Sequence, residues 1–184
     1  MTAQIGQEQL VYTVGADGRH MALNSLAVIA TLRSYRLRNW RAGVDAQSTF
    51  GALKGRGETT VIQTFEGGEV TLIDEAYNAN PGSMRASLRA LADRPRLTSE
   101  GRKVAVLGDI LELGSHAHEL HLELAEDILV AAPNELHLFG ENMGALHHEL
   151  AKRGAISRHY DDLDDLTTTV RWYGLSFAQV ISYW

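Results

Sequence analysis

Apolar residues recur three and four apart through residues 20–32, where Leu23, Leu26, Ala27 and Ala30 fall on one side of a predicted helix. Before it, LVYTV at 10–14 reads as a strand, and Ala16-Asp17-Gly18 as a turn. The pattern then blurs. No period dominates from Arg33 to Thr49, and Gly51, Gly55 and Gly57 punctuate a loop. Two runs rich in β-branched residues follow, TTVIQTF (59–65) and EVTLID (69–74), on either side of Glu66-Gly67-Gly68, the pattern of a hairpin. A domain boundary is predicted here, dividing the chain into 1–65 and 66–184.

Beyond Asp74 the chain alternates strand and helix. Asn80-Pro81 is a helix start, because an Asn side-chain oxygen accepts from the first free amides and Pro suits the first helical position. Met84, Leu88 and Leu91 then form one apolar stripe. KVAVLGD (103–109) reads as a buried strand, and Ser115 as the cap of a helix carrying Leu120, Leu124 and Ile128. ELHLFG (135–140) is the next strand, 142–152 the next helix with Gly154 just past its end, ISRHY (156–160) a further strand, and a last helix starts near Leu163. This order predicts an α/β fold with a mostly parallel sheet and helices on both faces, so the loops 74–81 and 108–115 fall at the carboxyl ends of strands, where such sheets bind ligands.

Composition narrows the function classes. The 184 residues are 45% hydrophobic with a net charge of −6, and a chain of this size can bury about 70% of its unfolded surface without disulfides or structural metal. The absence of cysteine excludes thiol nucleophiles and cysteine zinc sites. No membrane-length apolar run and no signal-peptide pattern is present, which predicts a cytoplasmic protein without a membrane partner. The overall acidity argues against nucleic acid, and the basic cluster Arg33, Arg36, Arg38 and Arg41, which could touch phosphate, reads first as a solvated helical face or a poorly packed loop.

The segment LIDEAYNANPGSM (72–84) carries the most chemistry. It is a strand ending in Asp74 and Glu75, a loop offering Tyr77, Asn78 and Asn80, and a helix start. Such a loop can hold hydroxyl groups through a carboxylate and a polar or anionic ligand through amides, or can simply be a capped strand-to-helix turn.

DEAYNANPGSM closely resembles the start of the C-terminal domain of the Mur ligase family, in the subgroup joining D-alanyl-D-alanine to UDP-N-acetylmuramoyl-tripeptide. Three more segments occur in the family order: GRHMALNSLAVIA (18–30) looks like the helix closing the central ATPase domain, ALKGRGE (52–58) like the arginine loop before the domain junction, and VAVLGDILELG (104–114) like the second loop of the C-terminal domain. The resemblance spans residues 3–32 and about 50–160. It implies a fragment of the central nucleotide-binding domain at 1–65 and a Rossmann-like C-terminal domain at 66–184. It implies that Asn24, with His20 nearby, lies against adenine, that Asp74 holds the ribose hydroxyls, and that Arg56 approaches the phosphates. Tyr77, Asn78, Asn80 and Asp109 would face the peptide or the incoming dipeptide. ATP and Mg2+ are the implied cofactors of the intact family, with UDP-N-acetylmuramoyl-tripeptide and D-Ala-D-Ala as substrates in peptidoglycan precursor synthesis.

The departures are substantial. There is no GxxxxGK[ST] phosphate loop, since in GALKGRGE the lysine precedes the second glycine and no Ser or Thr follows. Residues 33–49 and those from Arg171 onward leave the family pattern. The chain is therefore expected to lack ligase activity alone, no residue is assigned to catalysis or to a metal, and ATP binding by this chain is left open. A missing N-terminal half or a second copy would complete it. The alternatives are a non-catalytic nucleotide or peptide binding module and a structural remnant. HAHELH (116–121) lacks the spacing of an HExxH metal site. The uncharged end LSFAQVISYW is expected to pack on its own sheet or on a second copy.

Overall fold

The structure is a computed structural model describing residues 1–15, 19–51, 55–63, 67–95 and 101–171. The expected turn at 16–18, part of the arginine loop at 52–54 and the uncharged tail lie outside the described residues. The chain divides into two units, Met1–Glu58 and Thr59–Trp184, each described by itself.

The first unit starts with a hairpin: β1 (Thr2–Ile5), not expected from the sequence, pairs antiparallel with β2 (Glu8–Val11), which shares only Leu10 and Val11 with the strand read at 10–14, around Gly6, whose φ of +63° suits a tight turn. Helix α1 (Arg19–Ser34) packs on it, followed by α2 (Trp40–Asp45) and a 3-10 turn, Ala46–Thr49, in the stretch where no period dominates. Ala3, Leu10, Tyr12, Ile29 and Val44 form the core. The helix therefore turns Ser25 and Ile29 inward, while Leu23, Leu26, Ala27 and Ala30 are exposed. Two non-charged sides compete on α1, and the hairpin selects the one whose Ser25 hydroxyl accepts from the Tyr12 hydroxyl at 2.8 Å and donates to the Ala22 carbonyl at 2.7 Å. The basic cluster is also partly built in. Arg33 and Arg41 both bind the Glu8 carboxylate and lie over the Trp40 ring, at 5.0 and 5.1 Å from its centre.

The second unit follows the predicted alternation. Strands β3 (Glu58–Gln63) and β4 (Glu69–Asp74) form a two-stranded sheet. Helix α3 (Pro81–Asp93) leads to β5 (Val104–Gly108), α4 (Ala117–Leu122), α5 (Leu124–Ala131), β6 (Glu135–Phe139), α6 (Glu141–Lys152), β7 (Arg158–Tyr160) and α7 (Leu163–Arg171). β5, β6 and β7 form a parallel sheet with Val104 opposite Glu135 and His137 opposite Arg158. Alternation along β5 and β6 gives this sheet two apolar faces. Ala105, Leu136 and Leu138 meet Met84 and Leu88 of α3, Leu124 and Ile128 of α5, and Met143, Leu146 and Leu150 of α6. Val106 and Phe139 meet Leu166 and Val170 of α7, together with Ile62, Val70 and Leu72 from the β3–β4 pair. Arg85 and Arg89 of α3 reach Asp127 of α5, tying two helices on one face.

One expected cap is replaced. Ser115 lies in a 3-10 turn, Gly114–His116, and α4 starts after it without any side-chain cap. The dipole and free amides there are absorbed by the tighter turn, which uses the backbone itself.

Candidate functional site

Strand β4 delivers Asp74 at its carboxyl end, where the Asp74 Oδ1 accepts the Ala76 amide at 3.0 Å and folds the chain back on itself. Ala76 is buried beneath this turn, and the next two residues, Tyr77 and Asn78, point outward, Tyr77 with two-thirds of its surface exposed. Asn80 begins α3. Its side-chain oxygen accepts the Ser83 amide at 2.9 Å while the Ser83 hydroxyl receives the Asn80 amide at 3.0 Å, a reciprocal cap completed by Pro81. The Asn80 side chain thus sets the loop's exit, and the polar groups the loop presents outward are Tyr77 and Asn78.

The second loop, after β5, is held more tightly. Asp109 accepts the amides of Asn142 and Met143 at 3.1 and 2.8 Å, and the Asn142 side-chain amide at 3.2 Å. A carboxylate from one strand end therefore caps the helix that follows the neighbouring strand. It satisfies free amides and lies at the positive end of α6. Gly140, at that helix start, has φ +110°, and a Cβ there would sit 2.5 Å from the Asp109 carboxyl carbon. From the other side, His159 donates its Nε2 proton to the Gly140 carbonyl at 2.8 Å. The anion-attracting start of α6 is occupied by the protein's own carboxylate, so Asp109 acts first on the shape of this edge.

His121 holds the loop itself. Fully buried, its Nε2 accepts the Ile110 amide at 2.9 Å and its Nδ1 proton goes to the Ala117 carbonyl at 2.6 Å, which defines the tautomer. Leu111 and Glu112, beyond Ile110, are exposed. The sequence signal for His121 was its place in HAHELH, but His116 and His118 face solvent, so the three do not converge. Among the described residues no three His, Asp or Glu side chains are grouped to hold a metal ion. Gly140, Asn142 and His159 were not singled out in the sequence, because each matters through a partner distant along the chain.

The remaining expected positions lie in the first unit. Asn24 is exposed on α1, His20 lies in its first turn with a side chain outside the described part, and Arg56 is exposed between Gly55 and Gly57. A carboxylate at a strand end can accept from paired hydroxyls, and an exposed guanidinium can fork onto phosphate oxygens.

Two histidines, the buried His137 and the half-buried His147, give the second unit a pH dependence. Burial lowers the pKa of His137 from the usual 6.5, the Arg158 charge lowers it further, and Glu135 opposes both. Its Nδ1 lies 2.9 Å from the Tyr160 hydroxyl. His147 is lowered in the same way by burial and by His148 and His159. The folded state then binds fewer protons than the unfolded chain. The stability tied to these groups is complete above the unfolded value of 6.5 and is lost as pH falls from there through the folded values. Urea unfolding at pH 7.5 and pH 5 will show a weaker protein at the lower pH, and His137→Gln will flatten that difference; an unchanged slope would remove His137 as its source.

Comparison with known proteins places this arrangement. Residues 55–174 match the family described as Mur ligase, glutamate ligase domain. The chain is 30% identical over 156 residues to the UDP-N-acetylmuramoyl-tripeptide--D-alanyl-D-alanine ligase of Escherichia coli, covering 84% of this chain and 31% of that protein. It is 40% identical over 150 residues to the Mycobacterium bovis enzyme of the same name, covering 77% of this chain and 28% of that one. A crystal structure of MurF from Acinetobacter baumannii has the same fold, with a TM-score of 0.72 at 24% identity over 94% of this chain and 36% of that one. The chain spans about a third of the length of these relatives.

Proposed function

Since the chain belongs to the Mur ligase family by its glutamate ligase domain, we propose that it supplies the distal part of an ATP-dependent ligase that joins D-Ala-D-Ala to UDP-N-acetylmuramoyl-tripeptide in peptidoglycan precursor synthesis. The observation that carries this reading is the match over 55–174, supported by relatives of that name at 30% and 40% identity. In it, residues 1–65 are the end of a central nucleotide-binding domain and 66–184 the C-terminal domain, and the enzyme works in the cytoplasm. Asp74 receives the ribose hydroxyls, Asn24 and His20 border the adenine, and Arg56 approaches the phosphates. Tyr77 and Asn78 face the peptide or dipeptide, while Asn80 and Asp109 shape the loops that do so.

ATP with Mg2+ would supply the activated carboxyl phosphate in the intact enzyme. The residues here suit only the nucleoside end and one phosphate contact, because the sequence contains no GxxxxGK[ST] loop and the described residues group no metal ligands. The chain alone is therefore a binding module for part of the nucleotide or for peptide, and turnover requires the remainder of the ligase.

Calorimetry with ATP and a coupled phosphate-release assay with UDP-tripeptide and D-Ala-D-Ala test this. The isolated chain will release no phosphate above background. If ATP binds, Asp74→Ala will weaken it by about 1.5–3 kcal/mol, the range for hydrogen bonds to a charged group, or roughly tenfold and more in affinity. Phosphate release that depends on both substrates would refute the incompleteness. Equal ATP affinity of the two proteins would refute the role of Asp74.

A further inference from the structure

The loop after β5 holds a glutamate in a conformation that suits glycine. Glu112 lies in the left-handed region at φ +62°, where a Cβ crowds the following carbonyl. The same loop places glycine at its other left-handed position, Gly114 at φ +58°. A glutamate kept at such a position points to its side chain, not the turn, as the reason for it. The residues on either side are anchored. Ile110 is buried with its amide on the His121 Nε2, and Leu113 packs on the core. Between them Leu111 is 56% exposed, and Glu112 is exposed with no hydrogen bond or ion pair among the described residues. Asp74 and Asp109, by contrast, already hold backbone amides. Ala79 of the first loop packs on the same core as Ile110 and Leu113, so the two loops stand on one base, with Tyr77 and Asn78 outward on one and Leu111 and Glu112 outward on the other.

We propose that Glu112 is a specificity residue that recognises the free amino group of the incoming dipeptide. A carboxylate only accepts, and an ammonium offers three N–H donors to it, while Leu111 gives a small apolar side chain a surface to rest on. A metal ion is the poorer match, because no further His, Asp or Glu among the described residues is grouped with Glu112 to complete a coordination shell. This rests on the function proposed above, in which that amino group is the one joined to the tripeptide. It adds the residue that tells a peptide with a free amine from one whose amine is blocked.

The test titrates the full 184-residue chain with D-Ala-D-Ala and follows the Leu111 and Glu112 amides by NMR. The wild-type chain will show saturable shifts. N-acetyl-D-Ala-D-Ala will bind about tenfold more weakly or worse, and Glu112→Gln will weaken the free dipeptide to the same extent, the loss expected for hydrogen bonds between charged groups. Against Glu112→Gln, blocking the amine will cost nothing more. Glu112→Gly keeps the backbone and removes the carboxylate; it will raise the urea midpoint and lose the dipeptide as Glu112→Gln does. No saturable binding by wild type, equal binding of the blocked dipeptide, or undiminished affinity in Glu112→Gln overturns the proposal. So does a lower urea midpoint in Glu112→Gly, because the glutamate then serves the fold. L-Ala-L-Ala separates the two ideas: if it binds as well as D-Ala-D-Ala and depends equally on Glu112 and on the free amine, the role of Glu112 stands and the D-alanyl substrate of the proposed reaction is refuted.

Discussion

Gly140→Ala is expected to destabilise the second unit by about 2–4 kcal/mol, measured as a shift in urea unfolding. Two effects add. A side chain at φ +110° is strained by about 1–3 kcal/mol, and the new Cβ would lie 2.5 Å from the Asp109 carboxyl carbon and 2.7 and 2.9 Å from its oxygens. The carboxylate cannot swing away freely, because it holds the amides of Asn142 and Met143. Asp109→Ala alone should cost about 1.5–3 kcal/mol by removing those charge-assisted bonds from the start of α6. The double variant should cost less than the sum, since without the carboxylate only the backbone strain of the Gly140→Ala change remains. Strict additivity would show that the glycine and the carboxylate do not share one constraint.

His121→Leu is expected to cost about 2–4 kcal/mol. Leucine can occupy much of the buried volume, but it cannot accept from the Ile110 amide or donate to the Ala117 carbonyl, and Ile110 is itself buried. An amide left unpaired in that position keeps its full desolvation penalty. The result should be local as well as global: hydrogen exchange at the Ile110 amide will speed up before global unfolding, loosening the loop that carries Asp109. Unchanged protection of that amide would show that the imidazole does not hold the loop. Both variants act on the second loop from opposite ends, Gly140 and Asp109 through the start of α6 and His121 through its own helix.

Much of the second unit was legible because its signals are local. Asn80, Pro81 and Ser83 are within four residues of one another, so the cap of α3 could be read directly, and the structure forms it. The alternation that predicted β5, β6 and β7 with helices between them likewise reports short-range periodicity, and the parallel sheet follows it. The first unit was harder. TAQI and EQLV are four-residue strands, too short and too polar to show a period, and WRAGVD is a helix of six residues around a glycine. The solvated reading of the arginine cluster missed Glu8, which lies 25 and 33 residues from Arg33 and Arg41.

By itself the sequence determined the α/β alternation of the second unit, the start of α3 at Asn80-Pro81 and the polar loop 74–80, since each is decided by neighbours within a few residues. The tertiary structure decided which side of α1 is buried, that Asp109 is bound to a helix 33 residues away, and that His121 faces inward while His116 and His118 do not. The physical reason is common to all three. A helical period shows that a side is apolar, and a residue type shows what it can bond, but burial and partner are set by whichever distant element arrives to exclude water.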